Sequence, residues 1–466
     1  MQSQTFEDWE WCVVDDCSTR PEVRAALTTL STLDPRIHVV HRSQNGGIVA
    51  ASNDALAMAN GEFVAFLDHD DLLVPTALEQ MASVIDSTDD VDYVYSDETH
   101  VQVDGRDAAD FRKPEWSPER FRSSMYTCHL SMLRRDVITE VGGFRTGFDG
   151  SQDHDLILRA TEVITARGRR VVHLAQPLYH WRDVFSSVSR VTSTLSNAVA
   201  RGRQAVQDQC DRLGLGATVE HGLLGGTYRL VRNVPAQTAV TVVMATRAEA
   251  GTARKYPLAA AATMDALRTT HPTTHLVATY PASLPPQLVG LLEDAAGDRW
   301  ELLPVPDDWT ITTAIDRAFN HYPCDVLVTV APGLVPRSDL TPDWLETLVG
   351  LARSPGTGLV GALIADVDEI IVHAGWDEPN HRGYRLEGVR VAAPSSGNDL
   401  LIERECTQVS LAAAAVSASH WREGRATAIG GFDAAGRALS STLAVSGART
   451  VWTPYARFDE VSPIDR

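Results

Sequence analysis

FVAFLDHDDLL, residues 63–73, carries five mostly apolar residues straight into Asp68, His69, Asp70 and Asp71, then turns apolar again. The short aliphatic and aromatic run reads as a buried strand. Aspartates two apart on an extended chain point to the same side, because strand side chains alternate with period two. Where a strand ends in an open α/β sheet, that side faces the crevice in which ligands bind. Asp68 and Asp70 are hard oxygen donors suited to Mg²⁺ or Mn²⁺, and such an ion would also hold diphosphate oxygens. Two other readings fit the same residues. One is a solvated turn, since Asp is common in turns. The other is the acid-ended strand of a phosphatase or nucleotidyltransferase, although Asp71 and Leu72 stand where the aspartyl-nucleophile phosphatases of the haloacid-dehalogenase type want Thr or Val.

Around this stretch, short apolar runs alternate with helical patterns, as in an α/β domain. WCVVDD (11–16), RIHVVHR (36–42), DYVYSDE (92–98) and VVHL (171–174) read as further strands. PEVRAALTTLSTL (21–33), VAASNDALAMA (49–59), PTALEQMASVID (75–86) and DHDLILRATEVITARG (153–168) read as helices, with Pro21 in a first turn and Gly168 past a last one. Residues 1–190 thus form one domain, and 191–235 are polar, then Gly- and Pro-punctuated, as a connector is. From 236 to 466 the pattern restarts with TAVTVVMATR (238–247), LAAAATMDALRTTH (258–271) and HLVATY (275–280).

The second domain echoes the first. FVAFLDHDDLLVPTALEQM (63–81) is mirrored loosely by DVLVTVAPGLVPRSDLTPDWLETL (325–348), and VGGFRTGFDGSQDHDLILRA (141–160) by IGGFDAAGRALSSTLAVSGA (429–448). In these alignments the apolar frame survives and the acids vanish: Val330-Ala331-Pro332 faces Asp68-His69-Asp70, and Ser440-Ser441-Thr442 faces Asp153-His154-Asp155. The expectation is a second domain without the chemistry.

Composition narrows the partners. Lys plus Arg number 41 against 61 Asp plus Glu, a net charge of −20 that disfavours nucleic acid or an anionic membrane surface. A phosphate-bearing ligand would then need an imported cation. The six cysteines at 12, 17, 128, 210, 324 and 406 include no CxxC pair, which suggests reduced thiols in the cytoplasm rather than zinc or disulfides. MQSQTFEDWEW lacks the pattern of a signal peptide, and SLAAAAVSAS (410–419) is too short to span a bilayer. A cytoplasmic protein, at most peripheral at the inner face of the membrane, is expected.

Three more segments carry candidate chemistry. VVDDCS (13–18) is a second acid-ended strand: Asp16 could accept the N3–H of a pyrimidine base, with Ser18 or Thr19 capping the next helix. Asp15 and Asp16 acting as plain helix caps is the competing reading. In GSQDHDL (150–156), Asp153 opens a helix, whose dipole favours an ionised carboxylate able to remove a proton from a hydroxyl. A simple preference of Asp for helix starts explains it equally, and Asp155 reads as structural. In LYHWR (178–182), after an apolar strand and a Pro, His180 could complete a metal site, with Trp181 packing below and Arg182 reaching phosphate. A lone histidine is more often a packing residue.

In order, WCVVDDCST, NGGIVAASNDAL, GEFVAFLDHDDLL, VGGF, GSQDHDLILR and LYHWR resemble the family 2 glycosyltransferases of GT-A fold over roughly residues 3–190. YSDETHVQVDGR (95–106) and FRKPEWSPERF (111–121) resemble a bacterial subgroup that makes cell-surface polysaccharides and carries a second, related domain. HAGW (373–376), IGGFD (429–433) and VWTPYA (451–456) resemble that second domain. The resemblance implies a GT-A domain followed by a degenerate GT-A-like α/β domain. It implies an inverting transfer from a nucleotide-diphosphate sugar to a glycan or lipid-linked acceptor, with Mn²⁺ or Mg²⁺. Asp153 would be the catalytic base, Asp16, Ser18 and Asp68 would bind nucleotide, and Asp70 and His180 would bind metal. Gln152, Trp181 and Arg182 would contact acceptor or phosphate. The family's opening strand, of the type VSVVIPTYN, has no counterpart before residue 11, and it would lie inside the sheet beside VVDD. That gap keeps a catalytically inactive, scaffold-like glycosyltransferase relative as the alternative.

Overall fold

A computed structural model describes residues 1–101, 107–182, 192–245, 255–267, 271–377, 386–392, 399–425 and 431–461. The chain divides into two compact units. The first is Met1–Ser117, Phe121–Gly214 and Val219–Tyr228; the second is Pro118–Arg120, Leu215–Thr218 and Arg229–Arg466. Among the described residues no helix is long and apolar enough to cross a membrane.

In chain order the first unit contains β1 (Trp11–Asp15), α1 (Pro21–Leu33), β2 (Ile37–His41), α2 (Gly47–Met58), β3 (Phe63–Ala65), β4 (Leu72–Leu73), α3 (Ala77–Ser87), β5 (Val91–Val101) and β6 (Asp107–Phe111). Next come α4 (Pro118–Ser123), of which Pro118–Arg120 group with the second unit, β7 (Ser131–Arg134), α5 (Arg135–Glu140), α6 (Gln152–Ala166), β8 (Arg170–Arg182) and α7 (Thr192–Arg212). The hairpin β9 (Ala217–His221) and β10 (Tyr228–Arg232) then leads into the second half.

Two sheets form in the first unit. β1 and β2 make a parallel pair, and a second sheet has the order β3-β7-β5-β8-β4, with β6 on the edge of β5. β5 and β8 are parallel; β7 is antiparallel to both β3 and β5. β5 is buried from Val91 to Thr99 in spite of its polar residues, because Asp97 is bonded to the buried His173 and Glu98 is paired with the buried Lys113. Helix α3 turns Ala77, Leu78 and Met81 inward, at the i, i+1, i+4 spacing of a buried helical stripe, onto Val94, Leu130 and Tyr179.

β8 is much longer than the four residues VVHL. It runs through Pro177 to Arg182, so LYHWR lies within the strand rather than beyond it. Pro177 has no N–H to give, and the β5–β8 ladder shifts register where Pro177 meets Asp97.

The second unit contains β11 (Val240–Ala245), α8 (Lys255–Ala266), β12 (Thr274–Pro281), α9 (Pro286–Ala296), β13 (Trp300–Val305), α10 (Ile311–His321), β14 (Val326–Val330), β15 (Leu334–Pro336) and α11 (Trp344–Ala352). These are followed by β16 (Thr357–Asp366), β17 (Ile371–His373), β18 (Arg404–Cys406), β19 (Ala413–Ser417), α12 (Ala418–Gly424), α13 (Phe432–Val445) and β20 (Arg449–Glu460). Its main order is β13-β12-β11-β14-β19-β16-β20-β15.

Set beside β2-β1 and β3-β7-β5-β8-β4, the order and the pairing senses agree strand for strand, except that β11 has no counterpart among the described residues of the first unit. The repeat therefore extends to topology. The helix pair α6 and α13 corrects the alignment that set Ser440 against Asp153. Asp153 is the second residue of α6, and the second residue of α13 is Asp433, whereas Ser440 to Thr442 lie two turns further on. More residues separate α5 from α6 than α12 from α13, which threw the ungapped comparison out of register. Residues 429–430 of IGGFD lie outside the described residues.

Candidate active site

The acidic turn after β3 is fixed by β8. Leu72 and Leu73 of β4 pair with His180 and Tyr179. The Tyr179 hydroxyl donates to Asp71 Oδ2 at 2.7 Å and accepts from the Asp68 amide at 3.2 Å. The Arg182 amide donates to Asp71 Oδ1 at 2.8 Å, and the Arg182 guanidinium donates to the Asp70 carbonyl. Burial of Asp71 pushes its carboxyl up, with Asp68 and Asp70 adding to the rise against the bonds from Tyr179 and Arg182. Arg182 thus holds the turn in shape.

β7 brings the residue that the acids face. Ala65 pairs with Met132 in an antiparallel ladder, and continuing it three residues along each strand sets Asp68 opposite His129. His129 Nε2 lies 3.5 Å from Asp68 Oδ2. Its ring stacks on Tyr179 with centroids 4.7 Å apart and meets Trp181 edge-on at 6.2 Å. Ligand atoms of Asp68, Asp71 and His129 all lie within 4.8 Å of one another, which is the metal-competent group found among the described residues. His129 Nδ1 is buried without a hydrogen-bond partner. Two carboxylates and an imidazole suit Mn²⁺ and, less fully, Mg²⁺, so the donor set fits a divalent cation held by Asp68, Asp71 and His129.

This set differs from the expected Asp70 and His180. Tyr179 and Trp181 share the face that touches His129, so His180, between them on a regular stretch of β8, points to the opposite face. Asp70 stands beside His69, with 3.8 Å between Oδ1 and Nδ1, and is not part of the group.

Below His129 lies a buried ion pair. Lys113 Nζ is 2.9 Å from Glu98 Oε2 and donates to the Thr127 carbonyl at 2.6 Å and to the His129 carbonyl. Both side chains are sealed from solvent. Glu98 also accepts from the His129 amide at 3.4 Å. Burial pulls the Glu98 carboxyl up, yet Lys113 and His100 bring it below its ordinary range. The pair therefore sets the backbone that carries His129. Neither Lys113 nor His129 was a sequence candidate; the signal was the antiparallel return of SMLR beside FVA, visible only once the two strands are paired.

Asp153 faces the same space. A cavity of about 870 Å³ is lined by Asp68, His129, Gln152 and Asp153, together with Trp11 and Phe63. Protein packed around Asp153 pushes its carboxyl up to about 6, with Asp68 adding to the rise and His129 opposing it. Gln152 is spent on its neighbours, Nε2 reaching Asp153 at 3.3 Å and Oε1 accepting from the Gly150 amide at 2.6 Å. Asp155 is ion-paired to Arg145 and Arg159, the structural role expected of it.

Asp16 and Ser18 lie apart from this cavity lining. The Asp16 carboxylate accepts from the Gly46 and Gly47 amides at 2.9 and 2.8 Å and from Arg42 at 2.8 Å, closing the start of α2. Its carboxyl lies below the ordinary range, because those donors outweigh burial. Ser18 donates its amide to Asp15 and caps nothing: the N-cap of α1 is Arg20, without a side-chain cap. Pro21 at the first turn has no N–H, so fewer donors there need one.

Residues 1–142 match the family described as Glycosyl transferase family 2. The chain is 31% identical over 380 residues to the uncharacterized protein y4gI of Sinorhizobium fredii, covering 80% of this chain and 40% of that one. It is 29% identical over 385 residues to the O-antigen biosynthesis protein RfbC of Myxococcus xanthus, covering 80% and 28%. The chain therefore spans well under half the length of these relatives. Among solved structures, Staphylococcus aureus TarS 1-349 is similar at 21% identity and TM-score 0.33, over 45% of this chain and 76% of that one. The match to Glycosyl transferase family 2 thus spans residues 1–142, which hold β1 to β7 and the acids after β3.

Proposed function

We propose that the first unit is a metal-dependent inverting glycosyltransferase. It would take a nucleoside-diphosphate sugar and pass the sugar to a hydroxyl of a glycan or lipid-linked acceptor in bacterial cell-surface polysaccharide synthesis. The observation that carries this reading is the convergence of Asp68 and His129 with Asp153 on one cavity, with Asp71 within ligand distance of the first two. A bound divalent cation would neutralise the leaving diphosphate. Asp153 would accept the acceptor's hydroxyl proton as the new bond to the anomeric carbon forms and the bond to the diphosphate oxygen breaks. A carboxyl near 6 is largely ionised at neutral pH and still basic enough for that task. Similarity to an O-antigen biosynthesis protein supports the polysaccharide context. Work at the cytoplasmic face of the membrane, with peripheral attachment, is part of the same proposal.

A second reading, a nucleotide-sugar-binding relative without turnover, draws on one observation: β1–β2 and β3-β7-β5-β8-β4 are separate sheets in the first unit. The test is release of nucleoside diphosphate from a panel of sugar nucleotides with Mn²⁺, run on the protein and on Asp153→Asn. Turnover lost in the variant with binding retained supports the transferase; binding without turnover in both leaves the second reading.

A further inference from the structure

We infer that helix α7 positions Asp153: it grips the loop 149–151 ahead of α6, with Ser151 and Arg201 as the positioning residues. That carboxylate is a base only on the transferase reading above; the grip itself stands on geometry. Both α7 and Val219–Tyr228 group with the first unit. Ser151 is the N-cap of α6, yet its side chain makes no cap bond there. A serine at that place ordinarily accepts from an amide of its own helix. Here the Ser151 hydroxyl instead donates to the Ala198 carbonyl of α7 at 2.7 Å. Arg201, one turn along α7, donates to the Asp149 carbonyl.

Two glycines permit the close approach. Gly150 has a φ of +87°, which suits glycine, and a Cβ there would lie 3.1 Å from Ala198 Cβ. Gly202 lies inside α7, where glycine weakens a helix. A Cβ on it would fall 2.0 Å from the Tyr228 hydroxyl oxygen and 3.2 Å from Ser151 Oγ. Further on, Gln209 donates to the Leu158 carbonyl at 2.9 Å and Arg212 pairs with Glu162 at 2.7 Å, so α7 follows α6 in the same direction. From the loop the tie passes inward. The Gly150 amide donates to Gln152 Oε1 at 2.6 Å, and Gln152 Nε2 reaches Asp153 Oδ2 at 3.3 Å. On the other flank, His154 donates to the Phe121 carbonyl at 2.8 Å and stacks on Tyr228 with centroids 5.9 Å apart. Asp153 thus stands between two neighbours that are each tied to elements outside α6. A carboxylate that must meet a hydroxyl proton gains from being held this way, since a displacement of about 1 Å can cost about a hundredfold in rate.

The test compares the full chain with two double variants. Ser151→Ala with Arg201→Met cuts both bonds to the loop, and Ser151→Thr with Arg201→Lys keeps both donors. One readout needs no turnover: the rate at which a water-soluble carbodiimide couples glycine ethyl ester to Asp153, followed by mass spectrometry, with amide hydrogen exchange of β5 reporting the fold. The other is release of nucleoside diphosphate from UDP-, GDP- and dTDP-hexoses with Mn²⁺. Cutting the bonds should speed coupling at Asp153 about tenfold while β5 exchange stays unchanged. It should lower kcat about tenfold to a hundredfold, with KM for the donor within about twofold of wild type. The variant that keeps both donors should restore coupling and kcat.

Coupling at Asp153 that does not change when the bonds are cut overturns the proposal. So does a rise in coupling matched by an equal rise in β5 exchange, which would mean a general loss of stability. A raised KM with kcat intact overturns it as well, because the loop would then serve donor binding rather than the base. If wild type releases no nucleoside diphosphate from any of the sugars, the transferase reading falls, and the coupling rate alone decides whether α7 positions Asp153.

Discussion

Asp153→Asn is predicted to stabilise the first unit at neutral pH while abolishing sugar transfer. The carboxyl is raised from 3.8 to about 6 because the surrounding protein disfavours its charged form. A raised folded-state value means that the stability present below about pH 4 is lost as pH climbs through about 6. A rise of that size is worth about 3 kcal/mol. Asparagine carries no such penalty, so the stability of variant minus wild type should rise by about that amount between pH 3.5 and pH 8. Native-state hydrogen exchange of β5 amides, which reports opening of the first unit, measures it. A difference that stays constant across this range, or a variant that loses stability toward pH 8, would refute the claim that Asp153 is strained by burial of its charge. Nucleotide binding should survive the substitution, since the Asn side chain keeps the shape and the contact with Gln152.

Lys113→Met should cost about 3–5 kcal/mol, because Glu98 is then left buried without its cation; urea unfolding would read this, and Lys113→Met with Glu98→Gln should recover part of it. His173 is held between Asp97 at 2.8 Å and Glu115 at 3.2 Å, and these carboxylates outweigh burial to raise its pKa above the ordinary 6.5. Its contribution should be complete below about pH 6.5 and fade as pH rises through the folded-state value, and His173→Gln should flatten that slope in a thermal melt. Tyr179→Phe removes the hydroxyl that bridges Asp68 and Asp71, and should weaken Mn²⁺ binding about tenfold or more by calorimetry with little change in fold.

Much of this architecture is written in local pattern. PEVRAALTTLSTL is α1 to the residue, and WCVVD, IHVVH and the restart at VTVVMA are strands where the apolar runs fall. Local pattern failed where a long-range partner decides the outcome. Pro177 would end a strand read alone, yet a register shift against Asp97 carries β8 on to Arg182. Asp16 looks like a ligand group after a strand, but the Gly46 and Gly47 amides, thirty residues on, close around it. LYHWR offered His180 by its company of aromatic and basic residues. The alternation of β8 instead gives Tyr179 and Trp181 to the site and turns His180 away. His129 was invisible because its meaning lies in the β3–β7 ladder, a pairing of segments some seventy residues apart.

The central claim is that the acids after β3 and a histidine before β7 form one cation site beside Asp153. Mn²⁺ binding measured by calorimetry on wild type, His129→Ala and His180→Ala tests it most directly. The account predicts that affinity falls at least about tenfold in His129→Ala and stays near wild type in His180→Ala. Loss confined to His180→Ala, with His129→Ala unchanged, would contradict it.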